Sequence, residues 1–313
     1  MSGISFVIPV YNPGNDFKQI LNSIKLYESE SHYDTEIIVV DSSPSANTTD
    51  FVRNDSSVNV IKIESSNFNH GGTRNQAFNI SKGEYVVFLT QDAVPSSPEC
   101  FKKIIKNMEK DPSIGMAYGR QLPKRDAKLF SKLARDFNYP SQSRVKSLKD
   151  KDNLGIKTVF VSDSFAAYRR SALIDVGGFP RNTILSEETF VAAKMLTKGY
   201  SIAYEADACV YHSHNYTCIQ EFKRYFDTGV FYGRENWITK KFAHAESEGR
   251  KFIIYQLREI ISFHYFHLIP EFLFRNALKY VGYKLGTMEK YIPLRIKKKI
   301  SMNTNYWENW GSK

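Results

Sequence analysis

The 313-residue chain predicts an α/β fold: a mostly parallel sheet flanked by helices, with a helical C-terminal extension. Three observations predict it. Short apolar runs bounded by turn residues alternate with segments of helical period through the first half, the pattern of βαβ units. An apolar run over 85–89 closes on Thr90-Gln91-Asp92-Ala93, which sets a carboxylate where a buried strand meets solvent. Beyond residue 219, aromatic-rich amphipathic segments replace the alternation.

In chain order, strands are expected at 4–10, 36–40, 58–63 and 85–89, with helices at 16–26 and 73–80. The second helix is entered through Asn69-His70-Gly71-Gly72, whose glycines allow the backbone to approach a ligand closely. This is not G-x-G-x-x-G, so a dinucleotide reading lacks its main support. A helix is expected over 98–110, while 124–152 is polar, charged and poorly periodic and reads as a surface excursion. Strands at 158–161 and 164–169 follow, then a helix over 172–176 stopped by Gly177-Gly178. The last αβ unit is a helix over 190–198, capped by Gly199, and strands at 201–204 and 208–212.

Bulk composition narrows the class. A hydrophobic content of 42% is that of a globular protein. Cys100, Cys209 and Cys218 are far apart and odd in number, which argues against a disulfide framework or a structural zinc site and for a reducing, cytoplasmic compartment. The opening apolar run lacks a basic flank and is cut by Pro9, so neither a signal peptide nor a spanning helix is expected there. No run of uncharged residues reaches the roughly 18 needed to cross a bilayer. The net charge of +10 is concentrated: 219–313 holds 17 Lys and Arg against 9 Asp and Glu, a net of +8, which leaves +2 for the first 218 residues. No nucleic-acid-binding signature accompanies the basic region, so an anionic membrane surface is the expected partner.

A lone Asp at a strand end is commonly a turn or helix cap. Here it is joined by an opening Ile4-Ser5-Phe6-Val7-Ile8-Pro9-Val10-Tyr11-Asn12, a strand ending in Asp41, and an acidic pair, Glu187-Glu188. Three further blocks are Phe68-Asn69-His70-Gly71-Gly72-Thr73-Arg74-Asn75, Ser186-Glu187-Glu188-Thr189-Phe190, and Tyr211-His212-Ser213-His214-Asn215-Tyr216. Together, over residues 4–237, these resemble glycosyltransferase family 2, the inverting enzymes of the Rossmann-like GT-A fold, and within it the bacterial rhamnosyltransferases of O-antigen and surface-polysaccharide assembly.

The resemblance implies a donor half over 1–95, an acceptor and catalytic half over 96–218, and a helical, basic region over 219–313. It implies that Pro9 and Tyr11 face the nucleobase, that Asp41 accepts from the base N–H, and that His70, Gly71 and Arg74 lie near the diphosphate. It implies a divalent cation, Mg2+ or Mn2+, at the position of Gln91-Asp92-Ala93. The family's Asp-x-Asp pattern is reduced here to Asp92, with Gln91 in place of a carboxylate. His212 and His214, at i, i+2 on an extended segment, point the same way, and one of them could complete the metal site. The family's general base lies in an acidic pair; Glu188 is the first candidate and Glu187 the second. The implied substrates are a nucleotide sugar, dTDP-L-rhamnose, and a saccharide acceptor carried on a polyprenyl diphosphate at the inner face of the membrane. The alternatives are a family 2 transferase using another nucleotide sugar, or a non-catalytic scaffold that retains the fold.

In the tail, Ile253, Leu257, Ile260, Ile261 and His264 recur at helical spacing. This helix either packs on the catalytic domain or a second subunit of a homo-oligomer, or lies at a membrane interface. Arg295-Ile296-Lys297-Lys298-Lys299, followed by Trp307 and Trp310, favours the interface.

Overall fold

A computed structural model describes residues 3–45, 52, 55–242 and 245–309. The donor half follows the expected order: β1 (Gly3–Val10), α1 (Asn15–Glu30), β2 (Asp34–Asp41), β3 (Val58–Lys62), α2 (His70–Ile80) and β4 (Tyr85–Leu89). After it come β5 (Val94–Pro95), α3 (Glu99–Lys110), β6 (Ile114–Leu122), α4 (Leu129–Asn138), β7 (Arg144–Lys146) and α5 (Lys151–Leu154). Then follow β8 (Phe165–Arg169), α6 (Arg170–Asp175), α7 (Glu187–Thr197) and β9 (Ser201–Tyr211). The tail is helical: α8 (Cys218–Arg234), α9 (Asn236–Phe242), α10 (Ala245–Ser262), α11 (Ile269–Thr287), α12 (Leu294–Ile300) and α13 (Thr304–Asn309).

Among the described residues these strands form one sheet of nine, ordered β3-β2-β1-β4-β8-β6-β9-β5, with β7 on β9. Pairing is parallel through β3-β2-β1-β4 and again between β6 and β9; β8 enters antiparallel between β4 and β6. Both expected halves therefore share one sheet. Its two faces bury separate cores. One packs Phe6, Phe17, Ile20, Phe101 and Ile104 under α1 and α3; the other packs Phe88, Tyr168, Phe179, Val191 and Met195 under α7 and the tail.

The structure differs from the sequence reading in four places. The stretch 124–152 contains α4 and β7, because Phe130 and Leu133 give α4 a buried face and Arg144–Lys146 pairs with β9. Residues 155–159 form a 3-10 helix, not a strand. The strands expected at 201–204 and 208–212 are one, β9, with its register shifted opposite Gly119 and Arg120. Trp307, expected in a headgroup zone, is fully buried: it packs on Phe226, and Arg234 and Lys297 lie over its ring. Lys297 pairs with Glu289 and Lys298 with Glu308, so two of the four tail cations are engaged within the fold. Trp310 lies outside the described residues.

Helices α8 and α11 are held by backbone contact. A Cβ on Gly286 would lie 2.1 Å from the Phe226 carbonyl oxygen, one on Gly282 2.5 Å from that of Phe222, and one on Gly229 2.1 Å from that of Tyr283. Small residues four apart allow such approach. Below this contact, buried Asp227 accepts hydrogen bonds from Ser301 Oγ (2.6 Å), the Met302 N–H (3.0 Å) and Asn303 Nδ2 (2.9 Å), which ties the end of the chain to α8.

Gly286→Val is expected to destabilise the protein by more than about 2 kcal/mol, because backbone cannot yield as a side chain can. Gly249→Ala, in α10 with nothing within 4 Å of the new methyl, should stabilise by up to about 1 kcal/mol through helix propensity. Thermal or urea unfolding of the two variants checks both signs.

Candidate active site

The C-terminal ends of β1, β2 and β4 meet at one edge, where ligands bind in open α/β sheets. Gln91 is a clamp there: its Oε1 accepts from the Tyr11 N–H (2.7 Å) and its Nε2 donates to the Tyr11 carbonyl (3.0 Å). A carboxylate could make only the first bond, which accounts for an amide at this position. Tyr11 is left 51% exposed just past half-buried Pro9, and Asn12 follows in the left-handed region (φ +46°) with its N–H on Ser43 Oγ (2.7 Å). Asp41 is fully buried; it accepts from the Ser43 N–H (2.8 Å) and pairs with Lys62 (2.6 Å). Its carboxylate thus orders the wall of a cavity lined by Ser43, Pro44, Lys62, Glu64 and Gln76.

Asp92 lies just beyond β4, and β9 runs into His212 and His214; their ligand atoms converge. Asp92 Oδ2 is 3.4 Å from His212 Nε2 and 3.9 Å from His214 Nε2. Gln121 sets the tautomer: its Nε2 donates to Ser162 Oγ (2.8 Å), so its Oε1 faces His212 Nδ1 at 2.9 Å and receives that N–H. The Nε2 lone pair then points at a carboxylate, an arrangement that a proton on Nε2 or a bound cation relieves. Burial lowers both imidazoles, His214 to about 4, so both are neutral donors at physiological pH. Burial would raise Asp92, but His212, His214 and Lys124 outweigh it and hold the carboxyl below its usual range. Ligands about 2.1 Å from a common ion stand roughly 3.0–3.4 Å apart, close to these separations, and the amide behind His212 is the partner that metal-bound imidazoles have. Asp92, His212 and His214 therefore fit a divalent cation as a group of three.

The acidic pair opens α7 behind Ser186, itself in the left-handed region (φ +60°), a strain that persists where surrounding structure enforces it. Glu187 is buried and pairs with Arg74 Nη1 at 2.6 Å; Arg74 Nε pairs with Asp163 at 2.9 Å, and Nη1 also donates to the His70 carbonyl (3.2 Å). Asp163 in turn accepts from Tyr168 OH (2.5 Å). Glu188, with a carboxylate oxygen within 4.8 Å of the other two acids, is half-buried and has no ion-pair partner among the described residues. Three carboxylates share one guanidinium, so they do not all ionise freely. Burial, then Glu187 and Asp163, raises Glu188 well above the usual range; burial also raises Asp163, while Arg74 overcomes burial to hold Glu187 low.

Two expectations about α2 change. The Arg74 fork is buried and spent on two acids, so it does not face outward to a diphosphate. A Cβ on Gly71 would lie 1.9 Å from the Pro180 carbonyl oxygen, so this glycine admits the loop before α7, not a ligand. Half-buried His70, edge-on to Phe68, has its imidazole lowered by burial. Asp163, Gln121 and Lys124 were not singled out from sequence, since each acquires its role only through partners 24 or more residues away. His214 and Thr189, the neighbour of Glu188, both line a cavity of about 550 Å³ between α4, α8, α10 and α11, walled by Phe137, Tyr225, Tyr232 and Arg224.

A mixed sheet with ligand-facing strand ends, an acid pair on one helix and a metal-type triad define a GT-A glycosyltransferase. The chain belongs to glycosyl transferase family 2, whose model matches residues 5–177. It is 42% identical over 309 residues to the O-antigen chain rhamnosyltransferase RfbN of Salmonella typhimurium, covering 98% of this chain and 96% of that one. It is also 42% identical to the O-antigen chain rhamnosyltransferase WbaN of Salmonella anatum, covering 99% and 97%. Among solved structures, the mannosyltransferase PcManGT from Pyrobaculum calidifontis, in complex with GDP-Man and Mn2+, shares the fold with TM-score 0.57 and 18% identity, covering 99% of this chain and 86% of that one. S. aureus TarS 1-349 with UDP-GlcNAc does so with TM-score 0.53 and 14% identity, covering 92% and 91%.

The two acids should separate by stability. Glu187→Gln leaves Arg74 undercompensated in the core and is expected to cost about 3 kcal/mol or more. Glu188 has a raised native pKa, so the protein loses stability as pH rises from the ordinary carboxyl value to the raised one. Glu188→Gln should match the parent below pH 4 and be more stable than it at pH 8. Melting temperatures of both variants from pH 4 to 8 check this.

Proposed function

We propose that the protein is an inverting rhamnosyltransferase that moves L-rhamnose from dTDP-L-rhamnose onto a polyprenyl-diphosphate-linked saccharide in O-antigen synthesis, at the cytoplasmic face of the membrane. The full-length likeness to two O-antigen rhamnosyltransferases supports the sugar and the acceptor. One geometric observation carries the chemistry: Glu188, the acid of the pair without an ion-pair partner among the described residues, adjoins Thr189, which lines a cavity together with His214.

In this reading the donor nucleotide lies along the strand ends, with its base against exposed Tyr11 and Pro9 in the space shaped by Asp41, Ser43 and Lys62. The diphosphate faces Asp92, His212 and His214, and Lys124 (4.0 Å from Asp92) adds positive charge on that side. Asp92, His212 and His214 would hold a divalent cation, which would supply positive charge against the departing diphosphate. Two imidazoles with one carboxylate suit Mn2+ better than Mg2+, which prefers oxygen ligands. The acceptor enters through the 550 Å³ cavity, whose aromatic walls suit sugar faces. Glu188 takes the proton of the acceptor hydroxyl as that oxygen bonds to the anomeric carbon from the face opposite the diphosphate. The bond to the diphosphate breaks with its electron pair and the configuration inverts. A carboxyl raised toward neutrality is the better base for this step, and Arg74 keeps Glu187 and Asp163 occupied so that Glu188 alone is available.

Glu188→Gln should lower kcat by about 10²-fold or more with the donor KM little changed, because the base acts on the acceptor. In the parent enzyme kcat/KM should fall as pH drops through the raised Glu188 value, well above the ordinary carboxyl near 4.3. Rates that follow Glu187 in place of Glu188, or an acid limb at the ordinary value, would contradict the assignment. Asp92→Asn should remove Mn2+ stimulation without changing the melting temperature of the metal-free protein. Release of dTDP with and without Mn2+ measures this.

A further inference from the structure

Helix α11 is committed on both of its faces, but only one is covered. The face with Phe272, Gly282 and Gly286 is buried, its two glycines against α8. Opposite it, Leu273, Phe274, Tyr280, Val281, Leu285 and Met288 form a stripe, each 37–60% exposed. A helix apolar all round is ordinarily buried, so the open side implies a cover. The stripe continues past both ends of the helix, through Phe266 before it and Tyr291 and Ile296 after it, all exposed. Of these residues only Phe266 and Ile296 belong to the tail signal read from sequence; the stripe on α11 itself does not, and Trp307, which does, is a core residue.

Charge identifies the cover. Residues 261–302 contain eight Lys and Arg and two acids, a net of +6. Both acids are consumed: Glu271 pairs with Arg275, and Glu289 with Arg234 and Lys297. Lys290, Arg295 and Lys299, at the C-terminal end of the stripe, are exposed and have no ion-pair partner among the described residues. We propose that this face seats α11 in the headgroup plane of an anionic lipid membrane, with the stripe in the acyl boundary and these three cations on the headgroup charge. A second copy of the chain fits less well, because a two-fold contact would set +6 against +6. The same helices wall the cavity that reaches His214 and Thr189, so a lipid-borne acceptor held at this surface would enter beside the acid pair. The proposal deepens, and rests on, the reading of a lipid-linked acceptor.

The test is sedimentation of the full chain with vesicles of phosphatidylglycerol or of phosphatidylcholine, without donor, so that its outcome is independent of whether transfer occurs. The protein should bind phosphatidylglycerol and lose that binding at 1 M salt. Lys290→Glu with Arg295→Glu and Lys299→Glu should weaken it by about a hundredfold or more, each cation near such a surface contributing roughly a factor of five. Phe274→Ser with Val281→Ser and Leu285→Ser should abolish it at an unchanged melting temperature; if that variant is unstable, the charge variant decides. The proposal is overturned if the parent stays in the supernatant, if the charge variant binds as tightly as the parent, or if light scattering shows a dimer that these substitutions convert to monomer.

Discussion

One buried guanidinium, that of Arg74, ties α2, in the first βαβ units, to the segment before β8 and the start of α7, which supply its two carboxylate partners. Three acids around one cation cannot all be satisfied in a buried setting, and the structure resolves the conflict unequally. Glu187 and Asp163 take the guanidinium; Glu188, which has no ion-pair partner among the described residues, and buried Asp163 bear the cost as raised proton affinities, while Glu187 is held low. Buried ion pairs contribute little net stability, but removing one partner is expensive, so the cluster specifies an arrangement more than it strengthens the fold. The arrangement it specifies is a single acid left free to accept a proton.

The metal-type triad obeys a similar logic at the other strand end. His212 is not free to choose a tautomer, because Ser162 orients the Gln121 amide and Gln121 takes the Nδ1 proton. Gln91, which stands where a second carboxylate would be expected, braces the Tyr11 backbone, and two histidines stand beside Asp92. Where the Asp-x-Asp pattern is reduced to Asp92, the structure sets two imidazoles beside that carboxylate, three groups that could hold a cation. The tail follows a different constraint: glycines bring α8 and α11 into backbone contact, Asp227 and Trp307 close the end of the chain against α8, and the outer face of α11 is left bare.

Much of this was legible in the sequence because its signals are local. Period and turn residues located β1, β2, β4, α1 and α3 to within a few residues, and the blocks around Asp92, Glu188 and His212 fall where the geometry brings chemistry together. What escaped was set by partners far apart in sequence. The 124–152 stretch is polar, yet β9 recruits part of it as β7, and two apolar side chains suffice to fix α4. Gly71 resembled a ligand cradle but fits the Pro180 carbonyl; Arg74 resembled a phosphate fork but answers two acids 89 and 113 positions downstream. Trp307 resembled an interfacial anchor because nothing in its neighbourhood announces Phe226, Arg234 or the core they form. The exposed stripe on α11 was unreadable for the converse reason, since its apolar residues are indistinguishable in sequence from those that pack on α8.

The claim on which the mechanism turns is that Glu188, and not Glu187, is the member of the acid pair whose proton affinity stands well above that of an ordinary carboxyl. A 13C titration of the glutamate side-chain carboxyls, with Glu188 assigned by its absence in Glu188→Gln, measures this directly. The account predicts a Glu188 resonance that titrates well above pH 4.3 and moves lower when Asp163 is replaced by Asn, which removes a neighbouring negative charge. A Glu188 carboxyl that titrates at or below the ordinary value, with Glu187 as the raised member of the pair, would contradict it.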